Sequence, residues 1–342
     1  MTENATYREI VTQPAAWQQA IEVSRQLAPE LQALWSTGAF EQVILTGCGS
    51  TYYLSVAAAA LLQSLTGVSA RGVPAGELGM YPSNAYTSGR TLLVAVSRSA
   101  ATSETIRAVQ AFQAERKGPV LVVTNYADRP LAALGDLVLA IPAGQEKSIA
   151  QTRSFASMYV ATTAVAAIVA GRTDLLDAMH PLPGVGQALI EREEAIAQEI
   201  GSNLDLDRFY FLGSGPRYGL ACEVNLKMKE MTLTHSEPFH MLEFRHGPKA
   251  MVAKSAAVIG LLSEENREYE SAVLTEMGQL DGQTLTLAEA EADVTFASGL
   301  PEAVRNVLYL PVLQLMAYHR AIAKGLNPDK PTNLDAVVKL TW

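Results

Sequence analysis

Residues 42–51, QVILTGCGST, decide the fold of this 342-residue chain. An apolar run predicts a strand, Gly47-Cys48-Gly49 predicts a tight turn, and the alanine- and leucine-rich residues 53–65 predict a helix. In that order the backbone aims free N–H groups and the positive helix end at an anion, commonly a phosphate. Tyr52 replaces the third glycine of a dinucleotide fingerprint, and no P-loop lysine follows. A tight turn that binds no ligand is therefore the alternative interpretation.

The same pattern returns at residues 209–215, FYFLGSG, which precede a helix predicted for residues 220–231. This repetition indicates an internal duplication. Further apolar runs predict buried strands at residues 92–96, 120–123, 137–141, 256–262, 284–287 and 294–296. Strands alternating with helices predict an α/β fold with two doubly wound parallel sheets, each in a three-layer αβα arrangement. The expected organisation is an N-terminal helical segment (1–40), subdomains 41–172 and 206–324, a connecting helix (173–205) and a C-terminal tail (325–342).

Composition excludes several classes of protein. The formal net charge of −9 argues against nucleic acid or an anionic membrane as a partner, because such partners require a basic field. The two cysteines lack metal-ligand spacing, no apolar signal segment follows the polar N-terminus, and the apolar runs are too short to span a bilayer. We therefore expect a cytoplasmic, reduced protein without a metal or cofactor.

A cluster of hydroxyl side chains follows the strand predicted for residues 92–96. Residues 97–105, SRSAATSET, contain five serines and threonines where a helix is about to begin. Helix N-capping explains one or two of them. Together with the first glycine turn, the others could surround one phosphate at the carboxyl edge of the sheet, where parallel folds bind ligands.

Residues 223–247, EVNLKMKEMTLTHSEPFHMLEFRHG, are dense in charge although only 18% of the chain is charged. Lys227 and Glu230 are three residues apart and share one helix face, a spacing that a surface ion pair would also give. Proton abstraction beside a carbonyl group needs such a carboxylate, made more basic by partial burial, and a nearby donor. His235, His240 and His246 are five and six residues apart and match no standard zinc pattern, which disfavours a metal hydrolase.

Five motifs in this order resemble the sugar isomerase (SIS) domain family, in particular the isomerase half of glucosamine-6-phosphate synthase. They are Gly47-Cys48-Gly49-Ser50-Thr51, Ser97-Arg98-Ser99, Ile149-Ala150-Gln151-Thr152-Arg153-Ser154-Phe155, Leu226-Lys227-Met228-Lys229-Glu230 and Arg245-His246-Gly247-Pro248. The similarity covers nearly the whole chain from Gln42 onward, and it implies two SIS subdomains.

The resemblance also implies roles for individual residues. Glu230 would move a proton between C1 and C2 of an open-chain sugar with Lys227 beside it, and His246 would open the sugar ring from a neighbouring subunit. A homodimer with a shared active site follows, while His235, His240 and Glu243 would be structural or lie at an interface. The implied phosphate-binding residues are Gly49, Ser50, Thr51, Ser97, Arg98, Ser99 and Thr102, and the implied sugar-binding residues are Ile149, Ala150 and Gln151.

The activity implied is that of a phosphosugar aldose–ketose isomerase that deaminates an amino-sugar 6-phosphate. Glucosamine 6-phosphate would give fructose 6-phosphate and ammonia. A fructosamine-6-phosphate deglycase and a simple ketose/aldose phosphate isomerase would need the same residues. A sugar-phosphate sensor without catalysis is the remaining alternative. Such a protein would not need Glu230 and His246, so their presence argues against it.

Three departures from the family pattern qualify these roles. The chain begins without the glutaminase half and its cysteine nucleophile, so we expect no nitrogen transfer from glutamine. Ala100 replaces a frequent glycine, which predicts a slightly reshaped loop. In the tail, Ala336 falls where the synthase has its imine-forming lysine, and Lys339 lies three residues later, so imine formation by the tail stays open.

Overall fold

The computed structural model describes residues 4–115 and 118–340. Residues 1–3 of the predicted N-terminal helical segment and residues 341–342 of the tail lie outside the described residues. The strands, in chain order, are β1 Gln42–Gly47, β2 Ser69–Pro74, β3 Thr91–Ser97, β4 Val120–Thr124, β5 Leu137–Ala140, β6 Arg208–Gly213, β7 His235–Phe239, β8 Ala256–Leu261, β9 Gln283–Ala288 and β10 Val294–Thr295.

Three α-helices precede β1, and the others lie between or after the strands. They are α1 Ala5–Val11, α2 Gln13–Gln26, α3 Ala28–Gly38, α4 Ser50–Thr66, α5 Ala75–Met80, α6 Ser103–Ala114, α7 Arg153–Val169, α8 Thr173–Ala178, α9 Leu182–Ser202, α10 Pro216–Thr232, α11 Arg267–Gln279, α12 Glu302–Arg305 and α13 Tyr309–Ala323.

Two parallel sheets confirm the predicted fold class. The first sheet has the strand order β2-β1-β3-β4-β5, and the second has the order β10-β9-β8-β6-β7. Read from the other edge, the second order repeats the first strand for strand, and every pairing is parallel. An order of this type reverses direction between β1 and β3, and again between β6 and β8, and ligands of doubly wound sheets bind at such points.

The chain divides into two compact units, each built from separate segments. The first-sheet unit comprises Thr12–Glu146, Arg153–Pro183 and Asp335–Trp342. The second-sheet unit comprises Met1–Val11, Lys147–Thr152 and Gly184–Leu334. The subdomain boundaries inferred from the sequence stay a proposal.

Apolar helices cover the first sheet on both faces. One face of the strands, including Ile44, Leu93 and Val122, packs with residues of α5 and α6 such as Leu78 and Phe112. The helices α2, α3 and α4 pack on α7, which is buried along almost its whole length. Because β1, β3 and β4 are buried throughout, they read as unbroken apolar runs in the sequence.

The second sheet is covered in the same way. Tyr210, Leu212 and Val258 form one cluster with Leu274 and Met277 of α11. The helix α10 packs against β6 and α13. Among the described residues, no helix combines the length and the apolar character needed to cross a bilayer.

The structure extends the sequence prediction at the sheet edges. The edge strands β2 and β7 were not predicted, because neither is an apolar run and both are partly exposed. The helix α11 was also missed, since its first turn is polar and acidic. The single connecting helix predicted at 173–205 is two helices, α8 and α9, separated at residues 179–181.

Candidate active site

The first glycine turn is built for a close approach of backbone to backbone. Gly49 precedes α4 with φ +55°, a conformation that favours glycine. A Cβ on Gly47 would lie 2.5 Å from Thr51 Oγ1, so only glycine fits there. Thr51 Oγ1 accepts a hydrogen bond from the Cys48 N–H at 2.9 Å, which fixes the turn. Burial raises the pKa of the Cys48 thiol to about 11, so this cysteine is not a nucleophile at neutral pH.

The hydroxyl-rich loop leaves the neighbouring strand β3, as the sequence predicted. β1 and β3 pair directly, so both loops begin at one carboxyl edge, at the reversal of the strand order. Ser97 is 2% exposed at the end of β3. The Ser99 hydroxyl lies 3.5 Å from that of Thr102, which is the N-cap residue of α6.

Ala100 lies in this loop with φ +47° and is fully buried. The left-handed conformation is unfavourable for a residue with a Cβ and is adopted more easily by glycine. The Ala100 carbonyl accepts a hydrogen bond from the Leu131 N–H at 2.9 Å. The backbone of Ala100 has a conformation that suits glycine, and the reshaped loop stays a prediction.

Part of the tail lies on the same loop. Arg98, which is 9% exposed, donates from Nη2 to the Ala336 carbonyl at 2.7 Å. Leu340 N–H donates to the Ser103 hydroxyl at 3.1 Å, at the start of α6. Lys339 is exposed one residue before this contact. The structure thus places the tail lysine on the side of the hydroxyl loop.

The predicted sugar-binding residues belong to the second-sheet unit. Ala150 is 1% exposed, whereas Ile149 and Gln151 on either side of it are half-buried. The Ile149 N–H donates to the Asp329 carbonyl at 3.1 Å. This short segment is therefore tied to a distant part of the same unit.

The predicted catalytic pair lies on α10 around a buried lysine. Lys227 is fully buried, and its Nζ donates to Glu230 Oε2 in a short hydrogen bond. A second carboxylate, Glu223, is also fully buried, and its Oε1 lies 3.4 Å from Lys227 Nζ. The Glu230 side chain remains 20% exposed. One ammonium group is thus shared by a buried and a partly exposed carboxylate.

This arrangement suits proton transfer at Glu230. An isolated buried charge is costly, so the two carboxylates keep Lys227 in place. Lys227 in turn orients Glu230 by a charge-assisted hydrogen bond, while the second oxygen stays available to a ligand. A positioned carboxylate of this kind can serve as a general base.

His246 is on the loop that follows β7. It is exposed at the end of the 3₁₀ turn Glu243–Arg245, and Glu243 beside it is also exposed. His235 is exposed at the start of β7, and the His240 ring stacks on Tyr218 with centroids 3.7 Å apart. Burial lowers the pKa of His240. Within residues 4–115 and 118–340, no three His, Cys, Asp or Glu side chains are grouped as metal ligands.

The sequence interpretation missed Glu223 as a partner of Lys227. Its signal was available, since residues four apart on a helix face each other. It also missed Arg217, which stands at the second glycine turn where Thr51 stands at the first, and is 5% exposed. The structure brings together the first glycine turn and the hydroxyl-rich loop in one unit, and Lys227 with Glu230 in the other.

Comparison with known proteins agrees with this geometry. The SIS domain model matches residues 40–168 and 205–319, more than half of the chain. The chain belongs to the SIS domain family. A curated relative is the glutamine–fructose-6-phosphate aminotransferase (isomerizing) of Pyrobaculum aerophilum, 30% identical over 316 residues, covering 88% of this chain and 52% of that protein.

The enzyme of the same name from Methanothermobacter thermautotrophicus is 27% identical over 308 residues, covering 87% of this chain and 51% of that protein. The chain thus spans about half the length of these curated relatives.

Two solved structures share the whole fold. The glucosamine-6-phosphate deaminase of Thermotoga maritima has a TM-score of 0.81 and 26% identity, covering 98% of this chain and 100% of that one. The tagatose-6-phosphate ketose/aldose isomerase of Escherichia coli has a TM-score of 0.86 and 24% identity, covering 97% and 96%. The predictions of family, of fold and of an enzyme are confirmed.

Proposed function

We propose that this SIS enzyme isomerises an amino-sugar 6-phosphate and releases its nitrogen. Glucosamine 6-phosphate and water would give fructose 6-phosphate and ammonia. The observation that carries the proposal is the partly exposed Glu230, held on α10 by the fully buried Lys227. A carboxylate placed in this way can move a proton between two adjacent carbons of the sugar.

The chemistry needs few groups. Glu230 takes the proton from C2 of the open-chain aldehyde and returns it to C1, while a second proton passes from the amine nitrogen to O1. The product has a hydroxyl group at C1 and an imine at C2. Water adds to this imine, the C–N bond breaks, and ammonia departs as the C2 ketone forms. Lys227 keeps Glu230 oriented, and the loops of the first-sheet unit bind the phosphate through Ser97, Ser99 and Thr102 and backbone N–H groups.

The solved deaminase supports this direction of reaction, since it matches the chain end to end. The curated relatives are named for an aminotransferase activity of proteins about twice as long, and we do not assign that activity to this chain. The named isomerase structure shares the fold and keeps a simple ketose/aldose isomerisation as the alternative.

A substrate panel tests the proposal. The protein is incubated with glucosamine 6-phosphate, with an N-substituted fructosamine 6-phosphate, and with a ketose 6-phosphate, while ammonia, free amine and sugar phosphates are followed. We expect ammonia and fructose 6-phosphate in equal amounts from the first. Turnover of the second compound alone would identify a deglycase, and turnover of the third alone a simple isomerase.

We also propose a cytoplasmic homodimer in which His246 serves the partner's site. The exposed position of His246 on a loop after β7 supports this assignment. Mixing Glu230→Gln and His246→Gln subunits should then restore about a quarter of the wild-type rate, because half of the dimers would have one intact site. Mixed dimers without any restored activity would show that each site uses its own histidine.

A further inference from the structure

A buried carboxylate on the first helix holds the segment that leads into the predicted sugar-binding residues. Glu9, in the seven-residue helix α1, is only 4% exposed. Its Oε1 accepts from the Lys147 N–H at 2.6 Å, and its Oε2 accepts from the Ser148 N–H at 3.3 Å and from the Ser148 hydroxyl. One carboxylate thus fixes two successive residues that are 138 and 139 positions away in the sequence.

Asp329 ties the same helix to the same segment from the other side. Its carboxylate accepts from the Ala5 N–H at 3.0 Å, and from the Thr6 N–H and hydroxyl at 2.8 and 2.7 Å. Its backbone carbonyl accepts from the Ile149 N–H at 3.1 Å. The segment 147–149 is therefore held by hydrogen bonds to Glu9 and Asp329, and these two residues are joined through α1.

Two residues of the segment are less deeply buried than their neighbours. Ser148 is 2% exposed and Ala150 is 1% exposed, whereas Ile149 and Gln151 are half-buried. A buried carboxylate on a short helix is costly unless hydrogen bonds compensate it, and Glu9 accepts three such bonds from this segment. The helix thus holds the segment that leads into the predicted sugar-binding residues, in addition to packing on α13.

We propose that Glu9 is a positioning residue that sets the affinity for the sugar part of the substrate. The proposal rests on the proposed function, because it takes residues 149–151 as the sugar-binding segment. Glu9 itself does not touch the sugar. It fixes the backbone of Lys147 and Ser148 so that the following residues are presented in one conformation, which lowers the ordering cost of binding.

The test measures binding without catalysis. Glucitol 6-phosphate has no carbonyl group and cannot react, and inorganic phosphate reports on the phosphate loops alone. Titration calorimetry gives the Kd of both probes for the wild type, Glu9→Gln, Ser148→Ala and a control, Ile10→Val, which trims a fully buried side chain of the same helix.

Glu9→Gln should raise the Kd of glucitol 6-phosphate about tenfold, the scale of a lost charge-assisted hydrogen bond, and leave the Kd of phosphate unchanged. Ser148→Ala should weaken the binding of glucitol 6-phosphate by a smaller factor, about threefold, because the Lys147 and Ser148 N–H groups still donate to Glu9. Ile10→Val should change neither Kd. If Glu9→Gln does not fold, the Kd of glucitol 6-phosphate for Ser148→Ala tests the inference.

Two results would overturn the inference. One is an unchanged Kd of glucitol 6-phosphate in a folded variant, and the other is an equal loss for both probes. A wild-type protein that binds neither probe would refute the proposed function itself. That result differs from a wild type that binds both probes and a Glu9→Gln variant with the same Kd values, which would refute only the role of Glu9.

Discussion

The two glycine turns of this chain have the same backbone but different side chains. Gly49 and Gly215 precede α4 and α10 with φ of +55° and +57°. A Cβ on Gly47 or Gly213 would lie 2.7 or 2.6 Å from the backbone of the helix residue four positions later. At that later position the first turn has Thr51, whereas the second has an arginine.

At the second turn, the arginine side chain pairs with two carboxylates of the same chain. Arg217 donates from Nη1 to Glu302 in a short hydrogen bond, and its Nη2 lies 3.8 Å from Glu270 Oε1. Glu270 Oε2 accepts from the Ser263 N–H at 2.5 Å, and Glu302 Oε2 accepts from the Glu264 N–H at 3.0 Å. Ser263 and Glu264 follow β8, the counterpart of β3.

The comparison shows how one fold can offer an anion site twice and use it differently. The carboxyl edge of each sheet presents backbone N–H groups at the reversal of strand order. In the second sheet these groups meet Glu270 and Glu302. In the first sheet the loops carry hydroxyl groups instead, which suits a phosphate from solution. The duplicated half therefore uses internal ion pairs where the first half is proposed to bind its ligand.

The largest effect should come from Glu302→Ala. This change removes the nearer carboxylate from the guanidinium of Arg217, which is 5% exposed, and leaves Glu270 3.8 Å away. Losing one partner of a buried ion pair should lower the free energy of unfolding by about 3 kcal/mol. Inorganic phosphate should restore part of this loss by binding in place of the carboxylate.

Urea unfolding with and without phosphate checks this expectation, and Glu265→Ala, at an exposed position nearby, is the control. A Glu302→Ala variant as stable as the wild type would show that the ion pair does not hold the second turn. A loss of stability that phosphate leaves unchanged would show that the second turn is not an anion site.

A smaller effect is expected at the first turn from Thr51→Val. The variant keeps the shape of the side chain but loses the hydroxyl that accepts from the Cys48 N–H. We expect a rise of about tenfold in the KM of the sugar phosphate and a parallel rise in the inhibition constant of inorganic phosphate. Steady-state kinetics measures both. Ser64→Ala, near the other end of α4, should leave them unchanged, and an unaltered phosphate constant in Thr51→Val would argue against this turn as the phosphate site.

The smallest effect concerns pH and Glu270. Burial raises the pKa of Glu270 above its ordinary value of 4.5, against the lowering effects of the Ser263 hydrogen bond and of Arg217. The folded state therefore binds this proton more tightly than the unfolded state. The resulting stabilisation is present at low pH and is lost as pH rises through the raised pKa.

Thermal unfolding of the wild type and Glu270→Gln between about pH 4 and 8 checks this sign. The difference in Tm, wild type minus variant, should fall as pH rises. Since Arg217 and Glu302 share this cluster, the variant is also compared with Glu302→Ala at one pH. A difference in Tm that is constant with pH would contradict the assignment to Glu270.

Local patterns predicted most of the fold but not the contacts between distant segments. Buried strands and glycine turns are visible because each is a short run of characteristic residues. The edge strand β7, HSEPF, contains a histidine, a glutamate and a proline, so no apolar run marks it. The contact of Glu9 with Ser148 spans 139 positions and has no local signature. The contact of Glu223 with Lys227 on α10 could have been predicted from helix spacing alone, because the two residues are four apart.

The most direct test of the account is the rate at which Glu230→Gln releases ammonia and fructose 6-phosphate from glucosamine 6-phosphate. Lys229→Gln, at an exposed position one residue earlier, is the matched control. The account predicts a loss of at least about a hundredfold for Glu230→Gln, the usual scale for removing a general base, and a near wild-type rate for the control. A Glu230→Gln protein that turns over at the wild-type rate would contradict the proposed mechanism.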